Sequence, residues 1–237
     1  MTFCVRPSKS FLFDLLENKL RQHKTGIGID AASANFKNRR MFKTEKYFGL
    51  DIELSLLQKG LQINKSPDTF GILADITKLD GLPEGIADVV VSTNTLYSLP
   101  PQLRFQAIEH LCRITAPEGI FLCDLAIDED LRHCVEILNK HFKKLETMYY
   151  RNLFDQFYEK IFERDGFLGT HPVAGKRLFR LFAWFLSRLN FLTGRLKFLN
   201  SGAFIICEDK KDQQRNFFDI NKIPQIGNRL FTLMEQK

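Results

Sequence analysis

The chain has 237 residues, of which 44% are hydrophobic and 26% charged, which is enough apolar material for a sizeable core and excludes a disordered or collagen-like chain. A net charge of +6 favours anionic partners slightly, yet Lys and Arg are spread along the whole sequence instead of forming one patch, which argues against nucleic acid as the partner. The five cysteines, Cys4, Cys112, Cys123, Cys134 and Cys207, form no CxxC pair and leave one over, so buried free thiols in a reducing compartment are expected, and with no HExxH or paired Cys/His spacing no metal is expected.

Ser10–His23 opens the series of elements. Phe11, Leu12, Leu15, Leu16 and Leu20 share one face, predicting an amphipathic helix. The first residues carry acids and no long apolar core, unlike a signal peptide, and no run of 18 uncharged apolar residues could span a membrane. The expected setting is the cytoplasm.

Gly26–Asp30 (GIGID) reads as the first strand, followed by a turn of small residues, Ala31 to Asn35. This GxG lies within the strand and no third glycine opens a helix after it, so it is not a dinucleotide fingerprint. The compact stretch before the next strand predicts a short first helix. Lys46–Asp51 (KYFGLD) is the second strand, and Glu53–Leu61 a helix with Leu54, Leu57 and Leu61 on one side. Asp51 at the strand tip is suited to accept hydrogen bonds from ribose hydroxyls, each contributing roughly 1.5–3 kcal/mol when the acceptor is charged.

Phe70–Ala74, Asp88–Ser92 and Gly119–Asp124 are short apolar runs bounded by turn residues, the pattern of strands buried on both faces of a parallel sheet. Between the last two lies Pro101–Thr115, with Leu103, Ala107, Ile108, Leu111 and Ile114 at helical spacing. Glu129–His141 predicts another helix, Lys144–Tyr150 a sixth strand and Ala203–Cys207 the last, with a short helix near Ile226–Met234. Polar residues gather where the strands end, at Asp75 and at Ser92-Thr93-Asn94. In an open α/β sheet, ligands bind beyond those carboxyl ends. The expected fold is thus α/β, a Rossmann-like, mostly parallel sheet of seven strands flanked by helices. A Phe- and Arg-rich helical insertion at about 152–199 precedes the last strand. The domain runs over residues 25–208, with a flanking helix in 1–24 and a tail in 209–237.

In order and spacing these residues resemble the class I S-adenosylmethionine (SAM)-dependent methyltransferases, over roughly Thr25 to Asp124. GIGID with Asp30 is similar to the family's first motif, KYFGLD to its second-strand acid, and ILADITKLDGLPEGIADVVVSTNTLYSLP to the run from the adenine-site acid onwards. RFQAIEHLCRITAPEGIFLCDL resembles the family's helix and its turn into the fifth strand. The resemblance implies SAM as cofactor. It assigns the first loop to Asp30, Ala32 and Ala34, the ribose side to Asp51 and Ile52, the adenine side to Asp75 and Ile76, and the methyl side to Asn94. It also implies a small-molecule or lipid-like methyl acceptor, because STNTL is not the D/N-P-P-Y motif of base methylation. The family's loop is glycine-rich, whereas here Ala32, Ala34 and Phe36 stand in place of glycines.

That departure leaves a second reading, a non-catalytic scaffold or regulatory protein of the same fold. A nicotinamide-dependent oxidoreductase is a third, but it explains neither Asp75 nor the ADVVVSTN run. Tyr97, Asp128 and His171 are candidates for a general base if the acceptor is a hydroxyl. For the insertion three roles stay open: core packing, a lid over an apolar acceptor pocket, and contact with a membrane surface around Trp184.

Overall fold

The computed structural model describes residues 6–162 and 177–234, with the backbone alone for 177–180. His171 and Cys4 lie outside the described residues. The chain divides into two compact units. One comprises Lys19–Leu125, Glu129–Glu146 and the residues from Ile205 on; the other is the N-terminal stretch through Asn18, Ala126–Asp128 and Thr147–Phe204.

The larger unit is built on a twisted sheet. Its first five strands are β1 (Ile27–Ala31), β2 (Lys46–Asp51), β3 (Thr69–Leu73), β4 (Ala87–Ser92) and β5 (Thr115–Ala126). β6 (Phe142–Asn152), β7 (Asn200–Lys210), β8 (Gln225–Gly227) and β9 (Leu230–Thr232) complete a spatial order β6-β7-β5-β4-β1-β2-β3-β9-β8. Nine strands stand where seven were expected. The pairs β1–β2, β2–β3, β1–β4, β4–β5 and β3–β9 are parallel, and the short β8–β9 pair is antiparallel. Ile29, Val89, Val90, Val91, Phe121 and Leu122 are fully buried, as the continuous apolar runs require. The chain starts at β1, steps outward through β2 and β3, then returns to β4 on β1's other side. That reversal makes the crevice between β1 and β4 the place where a ligand fits.

Helices α2 (Leu54–Ile63), α3 (Pro101–Ile114) and α4 (Leu131–His141) belong to this unit. α3 starts on two prolines, whose fixed φ suits a first turn. It buries Ala107, Ile108, Leu111 and Ile114, but Leu103 of the expected stripe is exposed. Two expectations fail. Residues 34–41 form successive tight turns instead of a first helix, with Phe36 N–H bonded to Ser33 O, Arg39 to Phe36 and Met41 to Asn38. The helix expected near Ile226–Met234 is instead the β8–β9 pair, drawn into extended form because β9 pairs with β3.

In the smaller unit, α1 (Pro7–Leu20) buries the predicted Phe11, Leu12, Leu15 and Leu16. The Phe11 ring meets Phe191 edge-on at 4.8 Å. α5 (Leu153–Phe162) and α6 (Arg177–Thr193) share a small cluster of Tyr158, Ala183 and Leu186, flanked by Phe162 and Leu189. Of the Phe-rich sequence here, Phe154, Phe157, Phe182 and Phe185 face solvent, and Leu178 and Phe179 have no described side chains. Packing among the described residues leaves these four rings largely exposed. No helix among the described residues is long and apolar enough to cross a membrane. Cys112, Cys123, Cys134 and Cys207 are buried free thiols.

Candidate functional site

β4, β1, β2 and β3 lie side by side, so their carboxyl ends form one rim. Along it stand Asn94 after β4, Asp30 to Ala34 at β1, Asp51 and Ile52 at β2, and Asp75 and Ile76 after β3. All eight residues singled out in the sequence lie on this rim.

The loop after β1 is laced to its neighbours. Ser33 N–H donates to Leu50 O at 2.8 Å, and Ala34 N–H to Asp51 Oδ2 at 2.7 Å. Asn38 Nδ2 reaches both Asp30 Oδ1 at 3.1 Å and Thr93 Oγ1 at 3.2 Å, tying the loop to β1 and β4 together. Tyr47 donates its hydroxyl to Asp30 Oδ2 at 2.8 Å. Asp30 is thus a buried anchor under the rim, and burial pushes its carboxyl up to about 7.

Asp51 faces the rim differently. Besides Ala34, its other oxygen accepts from Glu53 N–H at 3.0 Å. Each carboxylate oxygen therefore carries one backbone donor and keeps acceptor capacity for a further one. Asp75 Oδ1 accepts from both Thr77 N–H at 2.9 Å and its hydroxyl at 2.7 Å, which fixes the side chain while Oδ2 makes no bond among the described residues. Ile52, 60% exposed, and the buried Ile76 supply apolar surface beside the two acids. Asn94 adopts φ 60° and donates its N–H to Asp124 Oδ1 at 2.7 Å. Of the candidate bases, Tyr97 is half-exposed and Asp128 exposed.

The replaced glycines behave unusually. Ala32, Ala34 and Phe36 all hold left-handed backbone, at φ 58°, 49° and 60°. Each costs roughly 1–2 kcal/mol relative to glycine. Phe36 compensates by burial. Its ring lies in the core beneath the rim, edge-on to Tyr47 at 5.4 Å, in a socket made by glycines of three elements. A Cβ placed on Gly49 of β2, Gly60 of α2 or Gly71 of β3 would lie 2.3, 2.7 or 3.5 Å from the ring. The bulky side chain thus points into the core, and Ala32 and Ala34 bring only methyl groups to the rim.

The donor set fits a SAM-like group on these grounds: two acids with spare acceptors, apolar surface beside each, and a loop trimmed to small side chains. Two sealed polar atoms at the same rim, Asn35 Oδ1 and Ser92 Oγ, make no hydrogen bond among the described residues, and such atoms demand a partner. Asn38, Tyr47 and Asp124 escape the sequence reading. Asp124 could have been found, since it stands near the carboxyl end of β5 as Asp51 stands at the end of β2. The roles of Asn38 and Tyr47 exist only once the loop is folded back.

Residues 23–123 match the family model described as a methyltransferase domain. No curated protein matches the chain. Solved structures share its fold. The cyclase SpnF is 13% identical with a TM-score of 0.56, covering 84% of this chain and 79% of that one. The N-methyltransferase NodS from Bradyrhizobium japonicum WM9, in complex with S-adenosylhomocysteine, is 13% identical with a TM-score of 0.51, covering 62% of this chain and 82% of that one. Phosphoethanolamine N-methyltransferase 2 from Haemonchus contortus, in complex with phosphomonomethylethanolamine and S-adenosylhomocysteine, is 14% identical with a TM-score of 0.54, covering 83% of this chain and 52% of that one.

Proposed function

We propose that this chain, whose residues 23–123 match a methyltransferase domain, transfers a methyl group from SAM to a small or lipid-like acceptor. The observation that carries the reading is the rim of Asp51 and Asp75, each fixed by its own backbone or hydroxyl donors with acceptor capacity left over. In this reading Asp51 accepts from the ribose hydroxyls and Asp75 Oδ2 from the adenine amine. Ile52 and Ile76 cover the base, Ala32 and Ala34 line the loop side, Asn94 borders the methyl side, and Asp30 holds the loop from below. The chemistry that SAM supplies when bound is an electrophilic methyl group on a sulfonium. Displacement at such a centre needs alignment more than a catalytic side chain.

The acceptor class rests on the sequence; one fold neighbour is named as a phosphoethanolamine N-methyltransferase and another as an N-methyltransferase. Buried free thiols support a reducing, cytoplasmic setting. Titration calorimetry with SAM and S-adenosylhomocysteine tests the reading. At least one binds, and Asp51→Ala weakens it about tenfold or more, the equivalent of one lost charged hydrogen bond. If neither binds at millimolar concentration, the chain is a non-catalytic relative. A methyl-transfer assay over amines, phospho-bases and hydroxyl compounds then separates acceptor classes.

A further inference from the structure

Helices α5 and α6 are built inside out. α5 exposes Leu153, Phe154 and Phe157 at 61, 63 and 70%, while Asp155 and Glu159 on its other face are 0 and 2% exposed. Inside, Asn190 Nδ2 donates to Asp155 Oδ2 at 2.6 Å, and Asn152 Nδ2 to Asn190 Oδ1 at 3.2 Å. Glu159 accepts from Ser8 and, at 3.0 Å, from Arg151 Nε. α6 repeats the inversion. Ser187 and Asn190 are buried, whereas Trp184, Phe185 and Leu192 stand out from the other side. Phe198, in the turn Lys197–Leu199 beyond α6, is 80% exposed. Helices of globular proteins turn their apolar stripe inward, and an apolar patch of this extent marks a surface that something covers.

Charge decides what covers it. From Arg177 to Asn200 the sequence holds Arg177, Arg180, Arg188, Arg195 and Lys197 and no acid. Arg195 and Lys197 are exposed, and the two acids of α5 are buried. The described residues that the two helices themselves expose are therefore aromatic and basic, with Asp14 of α1 paired to Arg188 at the margin. A second copy docked about a two-fold axis would set this patch against itself and repel, because such interfaces are self-complementary. An anionic bilayer offers both the apolar layer and the opposite charge. Trp184, with the Arg188 guanidinium 5.3 Å over its ring, supplies the boundary aromatic that interfacial helices use; Arg188 is itself paired with Asp14, so the charge toward the headgroups comes from the exposed Arg195 and Lys197.

We propose that the outer face of α5, α6 and the Lys197–Leu199 turn docks on an anionic phospholipid surface, lying in the plane of the interface. This holds whether or not the chain transfers methyl groups. Trp184 is the single tryptophan of the chain, so its fluorescence reports the contact directly. With full-length protein and vesicles of phosphatidylcholine plus phosphatidylserine, Trp184 emission shifts to the blue and the protein floats with the vesicles. Phosphatidylcholine alone binds at least about tenfold more weakly, as does the R195E/K197E double variant, since each basic group near such a surface contributes about fivefold. Phe157→Ser with Leu192→Ser also weakens binding by about tenfold or more while leaving circular dichroism and thermal midpoint unchanged. The proposal is overturned if wild-type protein ignores anionic vesicles, if neutral vesicles bind equally, or if these variants bind as wild type. A dimer in sedimentation velocity, dispersed by the same substitutions in protein that ignores vesicles, would give the face to a second copy instead.

Discussion

The loop after β1 and the helix pair α5–α6 each put phenylalanine where it does not belong, and they resolve the conflict in opposite ways. Phe36 sits on backbone that favours glycine, and the chain answers from within, with Gly49, Gly60 and Gly71 vacating a socket for its ring. Phe154 and Phe157 sit on a helix face that belongs to water, and no socket answers them among the described residues. A misplaced aromatic with an internal partner is a packing solution; one without such a partner points to something outside the chain.

The sharpest way to break this contrast is Phe36→Ala. It empties a glycine-lined socket that no neighbouring side chain can refill, and should cost about 3–5 kcal/mol in urea unfolding. A loss under about 1 kcal/mol would show the socket to be incidental. Next in size is a pH effect that both regions share. Asp30 beneath the loop and Asp155 beneath α5 are each pushed up to about 7, chiefly by burial. The folded chain therefore holds protons that the unfolded chain releases near pH 4. The contribution of these two groups is greatest below that pH and falls as pH rises through about 4 to 7, by up to about 4 kcal/mol per group. Denaturant midpoints across that range should show the fall, and Asp30→Asn should remove Asp30's share.

Smaller effects discriminate more finely. Ala34→Gly relieves a left-handed alanine at the cost of a freer unfolded chain, for a net gain of about 0.5–1 kcal/mol. A loss on this substitution would argue that the alanine methyl packs usefully. Smallest of all, Phe157→Ser should change stability by less than about 0.5 kcal/mol, as for a side chain with no buried partner. A large loss there would erase the distinction between the two regions.

Much of the frame is legible in the residues alone. GIGID, KYFGLD and ADVVVS announce β1, β2 and β4 because strands buried on both faces are continuous apolar runs with few alternatives. Their polar ends mark the rim for the same reason. What stays hidden depends on partners distant in sequence. β8 and β9 are three residues each, too short to show a period, and become strands only through pairing with β3. The stretch Asn35–Phe42 has helix-compatible residues, yet Asn38 is drawn toward Asp30 and Thr93, and the left-handed turn at Phe36 breaks any helix there. Phe36 looks obstructive in the sequence because its three glycines come from different elements.

β9 has a consequence for how the protein is made. It hydrogen-bonds along β3 from Gly71 to Leu73, and Arg229 just before it donates to the carbonyls of Asn64, Ser66 and Thr69 at the entry to β3. β3 leaves the ribosome long before β9 does. Until Leu230–Thr232 emerge, the nascent sheet carries an open edge of unpaired amides, the kind of template on which chains aggregate. Synthesis that stalls before Leu230 leaves that edge exposed, so the last short strand serves as the molecule's own edge guard.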